Sequence, residues 1–222
     1  WDSLPVRRAK WMPRATTDKD ANHWLDGYPK EYLDEKKALD LGAGSMRRQW
    51  PGYVTYTTDI RPDANPDYVQ DTLQMNQPDN HYDLCASSHH LEHLGRWDQP
   101  KAWSEIFRIV KPGGRIEHVV PNVEWAAAKI MEGDVDEHVM NVLYGAQEAH
   151  GYARQYNTHY IGYTPVLARA LAEAAGFEDV AITTYKDDPN LGYNLVIRGV
   201  KPLVVEAKEV SGDCVPAVAG ES

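Results

Sequence analysis

The chain has 222 residues, 42% hydrophobic and 25% charged, which suits one sizeable α/β domain with its own core. A formal net charge of −10 argues against non-specific binding to nucleic acid or to an anionic membrane surface. Two cysteines, Cys85 and Cys214, are too few for a disulfide framework, so a reducing cytoplasm is the default expectation. No apolar run approaches the length of a membrane span and no signal peptide is visible.

Residues 1–36 are polar, with Trp1, Trp11, Trp24, Tyr28 and Tyr32 spaced through them and a basic cluster of Arg7, Arg8, Lys10 and Arg14. They read as an N-terminal extension that packs on the core or covers a ligand. Lys37–Leu41 reads as the first strand, running into the turn Gly42-Ala43-Gly44. Two glycines at this spacing let the backbone approach a ligand with no Cβ in the way. A dinucleotide site would need G-x-G-x-x-G, and the third glycine position holds Arg47. Asp40, two residues before the first glycine, would also repel a pyrophosphate. A cationic ligand reverses that argument, and S-adenosylmethionine, with its ammonium and sulfonium groups and no phosphate, fits a carboxylate beside a glycine turn.

Met46–Trp50 is expected to form a truncated helix ended by Pro51-Gly52. Tyr53–Ile60 alternates and is rich in β-branched and aromatic residues, so it reads as the second strand. Its Asp59 lies about 20 positions after the first-strand turn, where an acidic residue accepts both ribose hydroxyls. Two prolines bar a helix from 61–67. A brief strand over Tyr68–Gln70 leads to Asp71-Thr72-Leu73, and His81–Ser87 is an apolar fourth strand. A helix is expected to begin at His89–Leu94, and a second at Pro100–Val110, with Trp103, Ile106, Phe107 and Val110 on one face. Lys111-Pro112-Gly113-Gly114 stops that helix, and Arg115–Val120 is the fifth strand.

Residues 121–163 exceed a normal strand–helix connection and read as a lid or substrate insertion with a helix around Glu124–Met131. Thr164-Pro165 is an N-cap and N1 pair opening a helix to about Ala175, with Gly176 as its stop. Phe177–Tyr185 and Tyr193–Val200 read as an antiparallel hairpin, and 203–222 as a flexible tail.

Strand–helix alternation implies a parallel sheet with helices on both faces. Together with Asp40-x-Gly42-x-Gly44, Asp59, Asp71, Tyr82-Asp83-Leu84, Leu91-Glu92-His93 and Lys111-Pro112-Gly113-Gly114, it resembles the class I S-adenosylmethionine-dependent methyltransferases. The likeness is to their type 11 small-molecule group, over roughly residues 37–120 and again over 164–202. The resemblance implies an α/β, Rossmann-like three-layer sandwich over 37–202. Its sheet would be seven-stranded and mostly parallel, with a C-terminal antiparallel hairpin. It implies that Asp40 contacts the methionine ammonium and that Gly42, Ala43 and Gly44 wrap the methionine part. Asp59 would hold the ribose, with Ile60 beside it. Asp71 would meet the adenine amino group, with Thr72 and Leu73 beside the ring, and Ser87 and Ser88 would lie next to the transferred methyl. The family's third glycine position is Met46 here.

An oxygen or nitrogen acceptor calls for a general base, usually His. His89, His90, His93, His118, His150 and His159 are candidates, and His89 and His159 are the two selected. His93 belongs to the Leu-Glu-His pattern and reads as structural. The expected acceptor is a small molecule, a sugar or a lipid precursor, with no nucleic-acid partner. Two alternatives stand beside this reading. One is a catalytically silent S-adenosylmethionine-binding subunit. The other is a zinc hydrolase, because His89-His90-Leu91-Glu92-His93 spells H-x-x-E-H and would put His89 and His93 on one helix face. That motif needs a third ligand from a downstream helix and an unrelated fold, and the cofactor pattern explains Leu91-Glu92-His93 without metal, so no metal is expected.

Overall fold

The computed structural model describes residues 35–147, 154–184 and 192–203. The chain divides into two units, Trp1–Glu35 and Lys36–Ser222, and the elements below belong to the second. The expectations for the N-terminal extension, for His150, and for Cys214 and the rest of the tail beyond residue 203 fall outside the described residues.

Seven strands form one sheet: β1 (Lys37–Leu41), β2 (Val54–Asp59), β3 (Tyr68–Val69), β4 (Tyr82–Ser88), β5 (Val110–Pro121), β6 (Glu178–Thr184) and β7 (Asn194–Val200). Their spatial order is β3-β2-β1-β4-β5-β7-β6. The first five run parallel, while β7 lies antiparallel between β5 and β6. Strand order reverses between β1 and β4, where Asp40 stands level with Ala86 and Leu41 with Ser87. Ligands of open α/β sheets bind at such a switch point, outside the carboxyl ends of the strands.

Five helices are described: α1 (Gln99–Ile109), α2 (Val123–Met131), α3 (Glu137–Tyr144), α4 (Arg154–Asn157) and α5 (Pro165–Ala174). One face of the sheet presents Leu39, Leu41, Cys85, Ile116 and Ile197 to Trp103 and Ile106 of α1 and Ala168 and Ala172 of α5, all in one buried cluster. The period-2 alternation of each strand sends Ala38, Leu84 and Ala86 to the other face, where Trp50 and Tyr53 cover them. Helix starts follow their caps: Thr164 Oγ1 accepts from Leu167 N at 3.1 Å, and Asp136 Oδ1 from Val139 N at 2.8 Å.

Four expectations need correction. Met46–Trp50 is not helical: five residues between a glycine turn and Pro51 cannot repay helix nucleation, and Arg47 and Arg48 instead reach Asp67 and Asp40. His89–Leu94 does not start an α-helix. His89 takes the left-handed conformation (φ 53°), and only a 3-10 turn, Leu91–His93, follows. The strict strand–helix alternation is also absent: β1–β2 and β3–β4 are joined without a helix, and β2–β3 by a 3-10 turn at Pro62–Ala64. Lys111–Gly114 belongs to β5 rather than to a separating loop. Between Tyr82↔Val110 and Leu84↔Arg115 the ladder advances two residues on β4 and five on β5, a bulge that absorbs Pro112 and both glycines.

The 121–163 insertion is anchored at its base. Val123 N donates to Tyr163 O at 3.0 Å, and Tyr160 N to Glu92 O at 2.9 Å. Helices α2 and α3 pair through Ala126, Val139 and Val142, with Trp125 and Tyr193 against them.

Candidate functional site

Strand β1 delivers Asp40 into the interior, where its side chain has no solvent exposure. Arg48 Nε donates to Asp40 Oδ2 at 3.1 Å, while Asp40 Oδ1 has no hydrogen-bond partner. Burial raises the Asp40 carboxyl to about 6 despite the neighbouring Arg48. A buried carboxylate oxygen with no partner is costly in a folded chain and marks a place for a donor from outside.

Gly42 and Gly44 both take positive φ, 57° and 58°, the left-handed region that glycine enters without strain. At Gly42 the space matters as well, because a Cβ there would overlap the His90 imidazole. The turn is closed by Gly44 N donating to Asp59 Oδ2 at 2.9 Å and by Ala43 N donating to Thr58 O at 3.0 Å. Asp59 Oδ1 accepts from Arg61 N at 2.9 Å and from Arg61 Nε at 3.3 Å. Its two oxygens therefore tie the ends of β1 and β2 together. The Arg61 guanidinium lies over the Tyr156 ring of α4, 5.7 Å from its centroid, linking the β2 end to the insertion.

Of the residues expected at the adenine end, Thr72 is buried, and its Oγ1 is 2.8 Å from His90 Nε2. Asp71 is exposed and accepts from Leu73 N at 2.8 Å, which shapes the turn. Ile60 is 53% exposed, an apolar side chain held open beside the site. Ser87 is buried, and its hydroxyl is 2.8 Å from His118 Nδ1, directed into the core, whereas Ser88 is half-buried at the strand end. The His118 ring itself is buried against Trp103, and burial lowers it to about 3, so it stays neutral. Among the expected residues, the structure thus gathers Asp40, Gly42–Gly44, Asp59 and Thr72 around the β1 turn, with His90 as the ring between Gly42 and Thr72.

His89 and His159 meet elsewhere, on Glu92. That carboxylate is 1% exposed, and neither oxygen has a hydrogen-bond partner. Around its Oε1 stand His89 Nδ1 at 3.3 Å, His93 Nε2 at 3.9 Å and His159 Nε2 at 4.0 Å. The far nitrogens of two rings face backbone carbonyls: His93 Nδ1 is 3.0 Å from Thr158 O and His159 Nδ1 is 3.1 Å from Val142 O. A carbonyl only accepts, so both Nδ1 atoms carry the proton, and in the neutral ring each Nε2 presents a lone pair to Glu92. Burial lowers the His159 ring, which favours that neutral form. Burial would raise Glu92, but the surrounding imidazoles outweigh it and hold the carboxyl below its ordinary range. Sequence reading missed Arg48 and Tyr156, took His90 only as a candidate base, and gave Glu92 no site role of its own. The setting of Glu92 was partly in plain view within H-x-x-E-H, but its partner His159 is 67 positions away.

The methyltransferase domain family model matches residues 16–182. Among curated proteins, no relative matches the chain in sequence. Solved structures share the fold at low identity. A SAM-dependent methyltransferase from Methanosarcina mazei is 18% identical, with a TM-score of 0.56 over 81% of this chain and 100% of the other. A SAM-dependent methyltransferase from Archaeoglobus fulgidus is 14% identical, with a TM-score of 0.52 over 83% and 95%. A possible exported protein from Bordetella parapertussis is 15% identical, with a TM-score of 0.52 over 83% and 67%. Sheet order, switch-point turn and family match agree, and the chain belongs to the methyltransferase domain family.

Proposed function

We propose that this chain transfers the methyl group of S-adenosylmethionine to an oxygen or nitrogen nucleophile of a small-molecule acceptor. The observation that carries the reading is Asp40: a fully buried carboxylate with one free oxygen, beside a left-handed glycine turn at the switch point of the sheet. An ammonium group supplies the donor and the charge that this oxygen lacks. When bound, the cofactor brings a methyl group already activated on a sulfonium.

The chain's own residues bind and align. Asp40 Oδ1 receives the ammonium, while Gly42, Ala43 and Gly44 let the backbone close around the methionine part. Asp59 accepts from the ribose hydroxyls with the lone pairs left by Gly44 N and Arg61, since a carboxylate has about four acceptor sites. Asp71 faces the adenine amino group, flanked by Ile60, Thr72 and Leu73, and Ser88 with the backbone of Ser87 borders the reacting end, the Ser87 hydroxyl being held by His118. His159, with its Nδ1–H fixed on Val142 O, keeps Nε2 free to take an acceptor proton, and His89 is the exposed counterpart. Proximity and alignment supply most of the rate in such a displacement.

Among the described residues, no helix is long and apolar enough to cross a membrane. Calorimetric titration with S-adenosylmethionine, followed by assay of S-adenosylhomocysteine formation against a panel of hydroxyl and amine acceptors, tests the proposal. Binding with turnover is expected. Binding without turnover on any acceptor would favour a silent subunit, and absence of binding would overturn the reading.

A further inference from the structure

Methyl transfer gives roles to His89 and His159 but none to the buried Glu92 on which they meet. A buried carboxylate normally gathers hydrogen-bond donors. Here two rings face it through Nε2 at 3.9 Å and 4.0 Å, too far for a hydrogen bond, and both hold that orientation through Nδ1–H bonds to the backbone carbonyls of Thr158 and Val142. A buried carboxylate with neither oxygen hydrogen-bonded is unfavourable unless a positive charge lies beside it. A ring nitrogen fixed by a carbonyl on its far side is also the usual support of a metal-bound histidine.

We infer that Glu92, His93 and His159 bind one divalent transition-metal ion of the zinc class. The ligand atoms lie within 4.8 Å of one another. Bonds of about 2.0–2.1 Å in tetrahedral geometry would set them about 3.4 Å apart. The 3.9 Å and 4.0 Å separations from Glu92 Oε1 therefore need to contract by roughly half an ångström. An imidazole-rich set with one carboxylate selects zinc, cobalt, nickel or copper over magnesium or calcium, which prefer all-oxygen sets. Three buried or half-buried ligands leave a fourth position on the side of His89, whose side chain is 48% exposed. A solvent ligand takes that position. An open position is the pattern of catalytic rather than structural zinc.

The sequence argument against metal was that H-x-x-E-H needs a third ligand from a downstream helix on an unrelated fold. The insertion supplies the third ligand instead: Tyr160 N bonds Glu92 O, and His159 is thereby carried to the Leu91–His93 turn. No helix face is needed, because the 3-10 turn and the left-handed His89 bring the groups together. With metal bound, His93 and His159 act as ligands, so the base role proposed for His159 falls to the exposed His89, and a solvent molecule takes the fourth position.

The test uses the untagged full chain, stripped with EDTA and titrated with zinc chloride and, separately, cobalt chloride. One equivalent of zinc is expected, with a cobalt visible spectrum of four-coordinate intensity. His93→Gln and His159→Gln should each weaken zinc binding by about a hundredfold or more, the upper end of what support residues alone cost. His138→Gln, at an exposed ring of α3, should leave it unchanged. Should one ligand variant fail to fold, by circular dichroism, the other and Glu92→Gln carry the same reading. Absence of stoichiometric zinc, or binding unaffected by the ligand variants, overturns the inference. S-adenosylmethionine affinity measured on the metal-free chain keeps this outcome separate from the methyl-donor reading.

Discussion

Asp40→Asn separates binding from stability, because the same buried carboxylate should help one and harm the other. Burial raises its ionisation from 3.8 to about 6. A group whose folded value lies above its unfolded value binds more protons in the native state between the two. Stability therefore falls as pH rises from about 4 to about 6, and the ionised carboxylate costs the apo protein at pH 7. Two pH units correspond to about 3 kcal/mol. An Asn amide buried with one unmet group gives back about 1–3 kcal/mol of that. The variant should thus be as stable as the parent or up to about 2 kcal/mol more so, a rise of a few degrees in Tm. Cofactor binding should move the other way. If only the ionised form receives the ammonium, wild-type affinity for S-adenosylmethionine should fall about tenfold from pH 7 to pH 5, or about 1.4 kcal/mol. In Asp40→Asn the affinity should already be at least tenfold weaker at pH 7 and flat over that range. Calorimetry at several pH values and a thermal melt of the apo chain give both numbers. A variant that binds as tightly as wild type, with the same pH dependence, refutes the assignment of Asp40.

Gly42→Ala combines a left-handed φ with overlap of the His90 ring, so it should cost about 2 kcal/mol or more by denaturant melt and abolish cofactor binding. Asp59→Ala releases Gly44 N and Arg61 together, and both S-adenosylmethionine affinity (tenfold or more, by calorimetry) and Tm should drop. Tyr163→Phe leaves Gln99 Oε1, now bonded at 2.6 Å, without its donor, and urea melts should show a loss of about 1–2 kcal/mol with cofactor affinity unchanged.

The strands were legible because each is an apolar or β-branched run bounded by Gly, Pro or Asn, and six of the seven stand within about two residues of their expected limits. The fifth was not, since a bulge can hide Pro112-Gly113-Gly114 inside a ladder that sequence reads as a break. Helix α5 was legible from Thr164-Pro165, whose cap geometry is local. Met46–Trp50 was misread because its arginines have a tertiary purpose, pairing with Asp40 and Asp67, that no local propensity encodes. The same division holds at the site. Asp40, the two glycines and Asp59 lie on consecutive strand ends and can be read in order. Glu92 with His159 is a meeting of distant segments and needs the fold.

The two backbone bonds at the base of the insertion, Val123 to Tyr163 and Tyr160 to Glu92, make everything between them a closed excursion. Its length is then nearly free: doubling a tied loop costs only about 0.6 kcal/mol of closure entropy. Helix α2 packs chiefly on α3 and Tyr193, so it can be exchanged or lengthened while α3, whose Val142 O and Tyr144 O hold His159, stays put with Glu92 and the β1 turn. Such a cassette lets descendants of this chain change what they accept without re-solving how they hold the donor.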